Sequence, residues 1–574
     1  MSDSTVPIAT FPAGDTAPAP SSARRSRPEQ VACLSRATPG LSQRRQAKRL
    51  GISRGRLRHW RQRQQSIGAP WQEVVFFESP EGLELLQRIT VAAPMTITLV
   101  GSGGVRQVCT FLELSGLSRH IASSYGSPPA WNVQMEQWVV EYGRQQRESR
   151  REGMPNREIT VCEDETYHPK PCLVSLEPVS GFILLERYAD DRSADPWDRA
   201  VKEATQGWSV KVIQVTSDRA KGLLRHAANL GAHSSPDLFH VRRDIVKATG
   251  LALQRAEKQA VAAVAAANEA VAHARREAAE SRCQGARPGG PSPPFEPRVP
   301  ATERQRRVAQ AELARTQQRR EPAKQEVGAL GEAYRPYGLD TGQARTTEPL
   351  EAHLSSSWAR LERMAREAAL PERCRPLLDK AKGLTQALLL TLQFFITTCQ
   401  RTVAALNLPP ELEALLQRHL IPAIYLDRVA ERCGKAEERQ RPRQLSQELQ
   451  RPLRRADSPL AALSEAERRR LEEVAAECAD LFQRSSSAVE GRNGHLSLQQ
   501  HGRHRLGDRK LTALTITHNY LIQRPDGTTA ARRFFGRPPD DLFQWVPGRI
   551  KPPARPAKKR PKPPKPAYLQ GMAA

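Results

Sequence analysis

The pattern of apolar and polar residues changes twice along the chain. From 29 to 66, apolar residues recur at helical spacing between short polar breaks. Between 158 and 241, short β-branched or apolar runs alternate with amphipathic stretches, which predicts strands and helices of one mixed sheet. From 247 to about 483 strand signals vanish. We therefore expect an α/β core that is interrupted by a large all-α insertion and preceded by a small all-α unit.

Five strands and two helices are predicted in the mixed region. We expect the strands at 159–162, 172–176, 182–185, 210–215 and 237–241, and the helices at 196–206 and 219–230. The stretch 71–150 is expected to link this core to the first unit through short helices and one strand at 95–100.

The insertion, 247–483, is expected to open with a helical hairpin. Residues 247–282 and 302–330 are charged and Ala-rich, and the Gly- and Pro-rich segment between them cannot be helical. Two helices of about 30 residues would each be about 45 Å long, which favours an antiparallel coiled-coil hairpin. The hairpin could pair with another copy of the chain or pack on itself. Further helices are expected at 350–369, 374–405, 409–433 and 459–483.

No membrane span is expected. The longest uncharged run, 383–400, contains three Gln and four Thr and lies within charged helical sequence, so a buried helix is the favoured interpretation.

Residues 41–65 have the spacing of a helix-turn-helix. Ala47 allows the two helices to cross closely, Gly51 makes the turn, and Leu57 and Trp60 face the core. Ser42 and Ser53 stand where the helices need N-caps. The outward side chains of the second helix are then types that suit base edges and phosphates: Arg56, Arg58, His59, Gln62 and Arg63. The alternative is a helical hairpin with a solvated basic face.

The overall charge supports a polyanionic partner. Among 574 residues, 88 Lys and Arg against 62 Asp and Glu give a net charge of +26, and nucleic acid is the first candidate. Arg accounts for 71 of the cations and suits phosphate and guanine recognition, although a G+C-rich genome would also favour Arg. Nine scattered cysteines without a CxxC pair support neither a disulfide framework nor a zinc finger, and fit a reducing cytosol.

Both ends of the chain are low in apolar residues. Residues 1–28 are rich in Ala, Pro, Ser and Thr and are expected to form a disordered leader without a secretory signal. The tail, 547–574, is basic and Pro-rich, is also expected to be disordered, and would add DNA affinity that depends on salt.

Three acids stand where metal ligands are useful. Asp164 and Asp218 each follow an apolar strand, and carboxylates on neighbouring strands can share divalent cations. Glu490 lies on a later helix, with Asn493 one turn away. Two ions about 4 Å apart can activate a water or a 3′-hydroxyl and stabilise the leaving oxygen of a phosphodiester. Strand alternation puts Asp164 on the opposite face from Glu163 and Glu165.

Four stretches resemble a known family. They are Cys-Glu-Asp-Glu-Thr at 162–166, Thr-Ser-Asp-Arg-Ala-Lys-Gly at 216–222, Asp-Leu-Phe-His at 237–240, and the segment 486–496 around Glu490. They are similar to DDE-type insertion-sequence transposases of bacteria, with a ribonuclease H-like, retroviral-integrase-like core. In that family the acids lie on the first strand, the fourth strand and a late helix, and the Asp-x-Phe-His stretch is a strand.

The resemblance implies a fold, a site and an activity. It implies a ribonuclease H-like core in two parts, 155–246 and 484–546, in which Asp164, Asp218 and Glu490 bind Mg²⁺ or Mn²⁺, as two ions. His240 and Asn493 would lie near the active site. The activity would be cleavage of double-stranded DNA at element ends, followed by strand transfer into target DNA. Such an enzyme acts as a homo-oligomer at the bacterial nucleoid in the cytoplasm, without a small-molecule substrate.

The sequence leaves other functions open. One is a nuclease of the same fold that does not join strands, and another is a decayed or repurposed transposase that only binds DNA. A structural coiled-coil protein would explain 251–330 but not the acids. The basic residues that follow Glu490 form either a phosphate-contacting strip or a solvated face; they include Arg503, Arg505, Arg509 and Lys510.

Overall fold

The computed structural model describes residues 25–37, 40–123, 127–283, 298–368, 370–502 and 506–556. It divides into two compact units. The first holds the described residues up to Tyr142 together with those from Asp541 onward, and the second is Gly143–Asp540. The N-terminal helices and the C-terminal segment thus share one unit, whereas the sequence pattern assigned residues 541–546 to the core.

The first unit is helical throughout its described residues. Its helices are α1 (Arg27–Ser35), α2 (Gln43–Arg49), α3 (Arg54–Gln65), α4 (Trp71–Phe77), α5 (Pro80–Pro94), α6 (Val105–Leu114) and the first part of α7 (Ser127–Arg151), and, near the C-terminus, α23 (Leu542–Trp545).

The two helices predicted within 41–65, and the turn between them, are present as α2 and α3. The side chains of Ser42 and Ser53 accept hydrogen bonds from the N–H groups of Arg45 and Arg56, and so cap the two helices. Gly51, in the turn, has a φ of 61°, which favours glycine. Ala47, Leu57 and Trp60 are buried, as expected.

The strand predicted at 95–100 is wrong, because Met95–Val100 forms a π-helical continuation of α5. Its six residues are β-branched or apolar, and such a short run does not separate a strand from a buried helix. The N–H of Gly101 donates to the carbonyl of Thr96, and Met95 and Leu99 are buried. Among the described helices, Pro80–Val100 is long and apolar enough to cross a membrane, but half of its apolar window is buried within the protein.

The start of the C-terminal tail is ordered, which corrects the expectation of a disordered segment from 547. Residues 547–549 form a 3₁₀ turn, and Ile550 and Pro553 are buried. The side-chain amide of Gln87 in α5 donates to the carbonyls of Pro547 and Ile550 at 2.6 and 3.0 Å. Residues 557–574 lie outside the described part, as do residues 1–24 of the expected leader.

The second unit contains a five-stranded mixed sheet. Its strands are β1 (Arg157–Tyr167), β2 (Pro171–Glu177), β3 (Phe182–Tyr188), β4 (Val210–Ser217) and β5 (His233–Pro236), in the spatial order β3-β2-β1-β4-β5. β2 is antiparallel to β1 and β3, whereas β4 is parallel to β1 and β5. The first four predicted strands are confirmed, but the fifth lies before 237, and 237–241 belongs to a helix.

Helices cover both faces of the sheet. α8 (Ala194–Thr205) and α9 (Lys221–Asn229) cover one face, where Trp197, Ala200 and Leu223 are buried. α20 (Ser487–His501) and α21 (Asp508–Tyr520) pack on the other, next to β1, β2 and β3, and α22 (Ala530–Phe535) follows. α10 (Leu238–Ala248) leads from β5 into the insertion.

The insertion is helical in its described residues, as predicted. Its helices are α11 (Gly250–Cys283), α12 (Arg298–Ala333), α13 (Thr347–Glu367), α14 (Arg375–Gly383), α15 (Thr385–Ala404), α16 (Pro410–Leu415), α17 (Ile421–Arg432), α18 (Ala436–Gln450) and α19 (Glu465–Asp480). Ion pairs between Glu257 and Arg320 and between Arg275 and Glu303 confirm the antiparallel hairpin of α11 and α12. α15 contains the uncharged run, and its Leu392 and Phe395 are buried in the helical core, as expected.

α20 is fastened to the sheet by a buried ion pair. Arg492 donates from Nε and Nη2 to the two carboxylate oxygens of Glu186 in β3, at 2.5 and 2.8 Å. The side chains are 4% and 0% exposed. Thr515 of α21 donates to the same carboxylate at 2.6 Å. One bidentate pair therefore joins β3, α20 and α21.

We predict that Arg492→Ala lowers the free energy of unfolding by about 3–5 kcal/mol, because it leaves the Glu186 carboxylate buried without its cation. Urea unfolding followed by circular dichroism measures the loss. The matched control is Arg187→Ala, at the position next to Glu186. It breaks an exposed ion pair with Glu203 and should lower the free energy of unfolding by less than about 1 kcal/mol. Equal losses in the two variants would contradict the structural role of the buried pair.

Candidate active site

Asp164 and Asp218 stand at equivalent positions along two neighbouring strands. β1 and β4 run parallel, with Cys162 opposite Thr216, so that Asp164 and Asp218 each stand two residues beyond that pair. Asp218 directly follows β4 and is exposed. Asp164 is half-buried and lies within β1, which continues to Tyr167 alongside β2 rather than ending at the acid as expected.

A tight turn holds Asp218 in place. One oxygen of its carboxylate accepts the N–H of Ala220 at 2.8 Å, while Arg219 between them has a φ of 60°. Gly222, the second residue of α9, lies against the backbone of Arg192, where a Cβ atom would lie 2.2 Å from the carbonyl oxygen. Glycine is therefore required for this close approach.

The third predicted acid reaches the same edge from α20. Glu490 lies in the first turn of this helix and is half-buried. Asn493, one turn later, donates from Nδ2 to Asp164 Oδ2 at 2.9 Å. The amide thus orients the Asp164 carboxylate.

A histidine oriented by an acid completes the group. Asp237 is the N-cap of α10, and its buried carboxylate accepts hydrogen bonds from Phe239 N–H, from Ser486 Oγ at 2.6 Å and from His240 Nδ1 at 2.8 Å. His240 Nε2 then lies 3.7 Å from Glu490 Oε1.

The expected strand at 237–241 is thus a capped helix start. Asp-Leu-Phe-His satisfies the N-cap preference for Asp and brings residues i and i+3 together. That spacing was the signal for Asp237, which sequence reasoning did not include among the site residues.

The ionised form of Asp164 is disfavoured in the folded protein. Burial, together with the charges of Asp218 and Glu490, raises the pKa of Asp164 to about 6, although His240 opposes the shift. Hydrogen bonding to Asp237 raises the pKa of His240. The pKa of Asp237 itself is lowered, because hydrogen bonds from His240, Ser486 and Phe239 outweigh its burial.

Glu163 and Glu165 point to the other face of the sheet, as predicted. Glu163 accepts a hydrogen bond from Ser175 at 3.0 Å and lies 3.6 Å from His226. Trp197 donates to Glu165 at 3.2 Å. Burial raises the pKa of Glu165 to about 7. Both glutamates are therefore engaged with α8 and α9, away from Glu490.

The donor set fits a hard divalent cation. Asp164, Asp218 and Glu490 offer carboxylate oxygens, the ligands that Mg²⁺ and Mn²⁺ prefer. A cation there would favour the ionised form of Asp164, whose pKa is raised by burial and by the neighbouring acids. Among the described residues, however, the ligand atoms that lie within 4.8 Å of one another are those of Asp237, His240 and Glu490, and this group does not include Asp164 or Asp218.

The residues expected to contact DNA are divided between exposed and buried positions. Arg58, His59 and Gln62 are exposed on α3, whereas Arg56 and Arg63 are half-buried. In the strip that follows Glu490, Arg509 is exposed. Lys510 is buried, which is at odds with the expected surface contact, because position 510 falls on the inward face of α21. Arg503 and Arg505 lie outside the described residues.

Comparison with known proteins adds one similarity. Residues 416–562 match a family of unknown function (DUF6399), and the matched part includes Glu490, Asn493 and the C-terminal segment. No curated protein and no solved structure matches the chain.

We predict that Asp164→Asn stabilises the metal-free protein at neutral pH. The pKa of Asp164 in the folded protein, about 6, lies above the unfolded value of 3.8, so the folded state binds more protons between these pH values and loses stability as the pH rises through them. The variant lacks this loss. Its free energy of unfolding should therefore exceed that of the wild-type protein by about 2 kcal/mol at pH 7.5, but by little at pH 4.

Thermal unfolding in EDTA at the two pH values measures this difference. Asp195→Asn, an exposed acid in the first turn of α8, is the control and should change stability by less than about 0.5 kcal/mol. A stability gain of Asp164→Asn that is the same at pH 4 and pH 7.5 would show that the carboxylate charge is not its cause.

Proposed function

We propose that the protein is a metal-dependent enzyme that cuts and joins DNA, a DDE-type transposase with a ribonuclease H-like core. The observation that carries the proposal is the electrostatic influence of two acids from distant parts of the chain on Asp164. Asp164 of β1 interacts electrostatically with Asp218, after β4, and with Glu490 of α20, although 272 residues separate the last two. The resemblance assigns its acids to the first strand, the fourth strand and a late helix.

The roles of the side chains follow from their contacts. Asp164, Asp218 and Glu490 would hold the cations, and Asn493 keeps the Asp164 carboxylate oriented. Asp237 fixes the ring of His240 and directs Nε2 toward Glu490. When bound, a pair of divalent cations would activate a water or a 3′-hydroxyl and stabilise the leaving oxygen of a phosphodiester.

A cleft lined by arginines supports a nucleic-acid substrate. This arginine cleft has a volume of about 1440 Å³ and borders the site at Phe239 and at Ser487–Ala488. Three acids line it: Glu431, Asp480 and Asp526. Nine arginines line it: Arg157, Arg242, Arg243, Arg335, Arg428, Arg432, Arg484, Arg524 and Arg533. Such an excess of guanidinium groups favours a phosphate backbone.

The cleft also offers an aromatic surface. Phe239 is 47% exposed, and the guanidinium of Arg243 lies 5.9 Å from the centre of its ring. An exposed ring beside cations is the combination on which unpaired bases stack. Phe239 directly precedes His240, so a strand that stacks here would lie next to the acids.

We predict that Asp218→Asn lowers Mg²⁺-dependent DNA cleavage by at least about 10³-fold, because a cation ligand is lost. The substrate is a supercoiled plasmid that carries the DNA flanking the reading frame, with Mg²⁺ or Mn²⁺. A gel-shift assay with the same DNA should give unchanged binding.

Asp195→Asn is again the control and should cleave normally. Cleavage at the wild-type rate in Asp218→Asn would overturn the site assignment. DNA binding without cleavage by the wild-type protein would favour the alternative of a protein that only binds DNA.

We also predict that Phe239→Ala weakens binding of a single-stranded oligonucleotide by about 5- to 100-fold, in line with the loss of one stacked base. Fluorescence anisotropy with a labelled 20-mer measures the change. Leu251→Ala, which removes an exposed apolar side chain from α11, is the matched control. An equal effect of the two substitutions would exclude stacking on Phe239.

A further inference from the structure

A histidine and two acids meet where α10 and α20 begin. Ligand atoms of Asp237, His240 and Glu490 lie within 4.8 Å of one another. The three side chains are 0%, 15% and 31% exposed, in that order. Asp237 and His240 belong to the start of α10, whereas Glu490 lies in the first turn of α20, after the whole helical insertion. The group is therefore assembled by the fold and is not a local turn motif.

The Asp237 carboxylate orients the ring of His240. One of its oxygens accepts the Phe239 N–H at 2.7 Å, and the other accepts His240 Nδ1 at 2.8 Å and Ser486 Oγ at 2.6 Å. Because both oxygens are engaged, Asp237 is better placed to hold the imidazole than to bind an ion itself. In the neutral ring, a hydrogen on Nδ1 leaves the lone pair on Nε2. A carboxylate that fixes a ring in this way is a common second partner of metal-binding histidines.

His240 Nε2 faces a carboxylate oxygen across a gap of suitable size. It lies 3.7 Å from Glu490 Oε1, which is longer than a hydrogen bond. Two ligand atoms that are each about 2.1 Å from one ion lie about 3.0–3.6 Å apart at angles of 90–120°. A small rotation of the partly exposed Glu490 side chain therefore allows both atoms to bind the same ion.

The chemistry of this pair differs from that of the predicted acids. Asp164 and Asp218 offer oxygen ligands, which suit Mg²⁺. The pair of His240 and Glu490 offers an imidazole nitrogen in addition to an oxygen, and imidazole favours transition-metal ions over Mg²⁺. The two groups of side chains are therefore suited to different ions.

We propose that His240 and Glu490 form a binding site for a divalent transition-metal ion, such as Mn²⁺ or Zn²⁺, and that Asp237 positions His240 in it. The site does not need Asp164 or Asp218. It borders the arginine cleft, which Phe239 and Ser487 help to line. The coordination positions that the protein leaves open would take water or a phosphate oxygen. This inference shares Glu490 with the proposed function but does not require that the protein cut DNA.

The competing explanation is an ion pair between a protonated His240 and Glu490. A protonated imidazole carries hydrogen on both nitrogens and cannot bind a metal. The two explanations thus differ in whether the protein binds an ion through His240. A comparison is offered on α11, where His273 Nδ1 lies 3.4 Å from Glu277 at i,i+4 spacing and the His273 side chain is 69% exposed.

The first test is Mn²⁺ binding to the full chain in an excess of Mg²⁺, which occupies sites made of oxygen ligands alone. It is carried out at pH 8, because metal binding requires the neutral imidazole. Pulsed electron paramagnetic resonance detects coupling of Mn²⁺ to a directly bound imidazole nitrogen. His240→Ala should lose this coupling and at least about tenfold in Mn²⁺ affinity, whereas the control His273→Ala should retain both. Equal behaviour of the two variants would overturn the site.

The second test separates the positioning residue from the ligands. Asp237→Asn should keep the nitrogen coupling but lower the Mn²⁺ affinity about 10- to 100-fold, as is typical when the partner of a metal-binding histidine is changed. Unchanged affinity in a folded Asp237→Asn would overturn the positioning role. Circular dichroism checks the fold. Glu490→Gln, at a partly exposed position, should lower the affinity at least about tenfold, and unchanged affinity in it would overturn the site even if Asp237→Asn does not fold.

A third variant shows whether the site is independent of the predicted acids. Asp218→Asn should retain the nitrogen-coupled Mn²⁺, and its loss in this variant would overturn the independence of the two groups. DNA cleavage by a wild-type protein that shows no nitrogen-coupled Mn²⁺ would overturn the site and leave the proposed function in place. Nitrogen-coupled Mn²⁺ in a wild-type protein that does not cleave DNA would support the site and count against the proposed function.

Discussion

The buried ion pair between Arg492 and Glu186 is the interaction on which the proposed active site depends. The chain leaves the sheet after β5, forms a helical insertion, and must then return α20 to a defined position on β1. Arg492 fixes that return at β3, and the Asn493 amide fixes it at Asp164. Ser486 and the carbonyl of Arg484 tie the start of α20 to Asp237 and Leu238. These contacts fix the helix that carries Glu490, whose charge acts on Asp164.

The acids on the two faces of β1 have different surroundings. Glu163 and Glu165 meet hydrogen-bond donors of their own unit on one face, so their carboxylates are part of the packing with α8 and α9. Asp164, on the other face, meets one amide and the charges of further acids. The alternation of the strand thus places, within three residues, two acids that contact α8 and α9 and one acid that contacts α20. The acid that contacts α20 is the one near Asp218 and Glu490 and is the one proposed to bind a cation.

Local patterns predicted those parts of the fold whose residues interact mainly within one element. The β-branched runs of β1 to β4 and the serine caps of α2 and α3 are examples. The strand predicted at Met95–Val100 was wrong, because tertiary packing decided between the strand and the helix that these six residues both allow. α18 was not predicted because its sequence is polar and includes Pro442. The partners of Glu186, Glu78 and Asp237 come from distant segments, so no local pattern indicates them, and the burial of Lys510 depends on how α21 packs.

Glu78, at the end of α4, pairs with both Arg27 and Arg555, and this buried cluster has a consequence for the order in which the protein forms during synthesis. The whole second unit, Gly143–Asp540, is made between the two arginines. A ribosome releases Arg27 well before Arg555, so the second unit has time to fold while the first still lacks the segment that contains Arg555. Until that segment is made, Glu78 has only one of its two arginines.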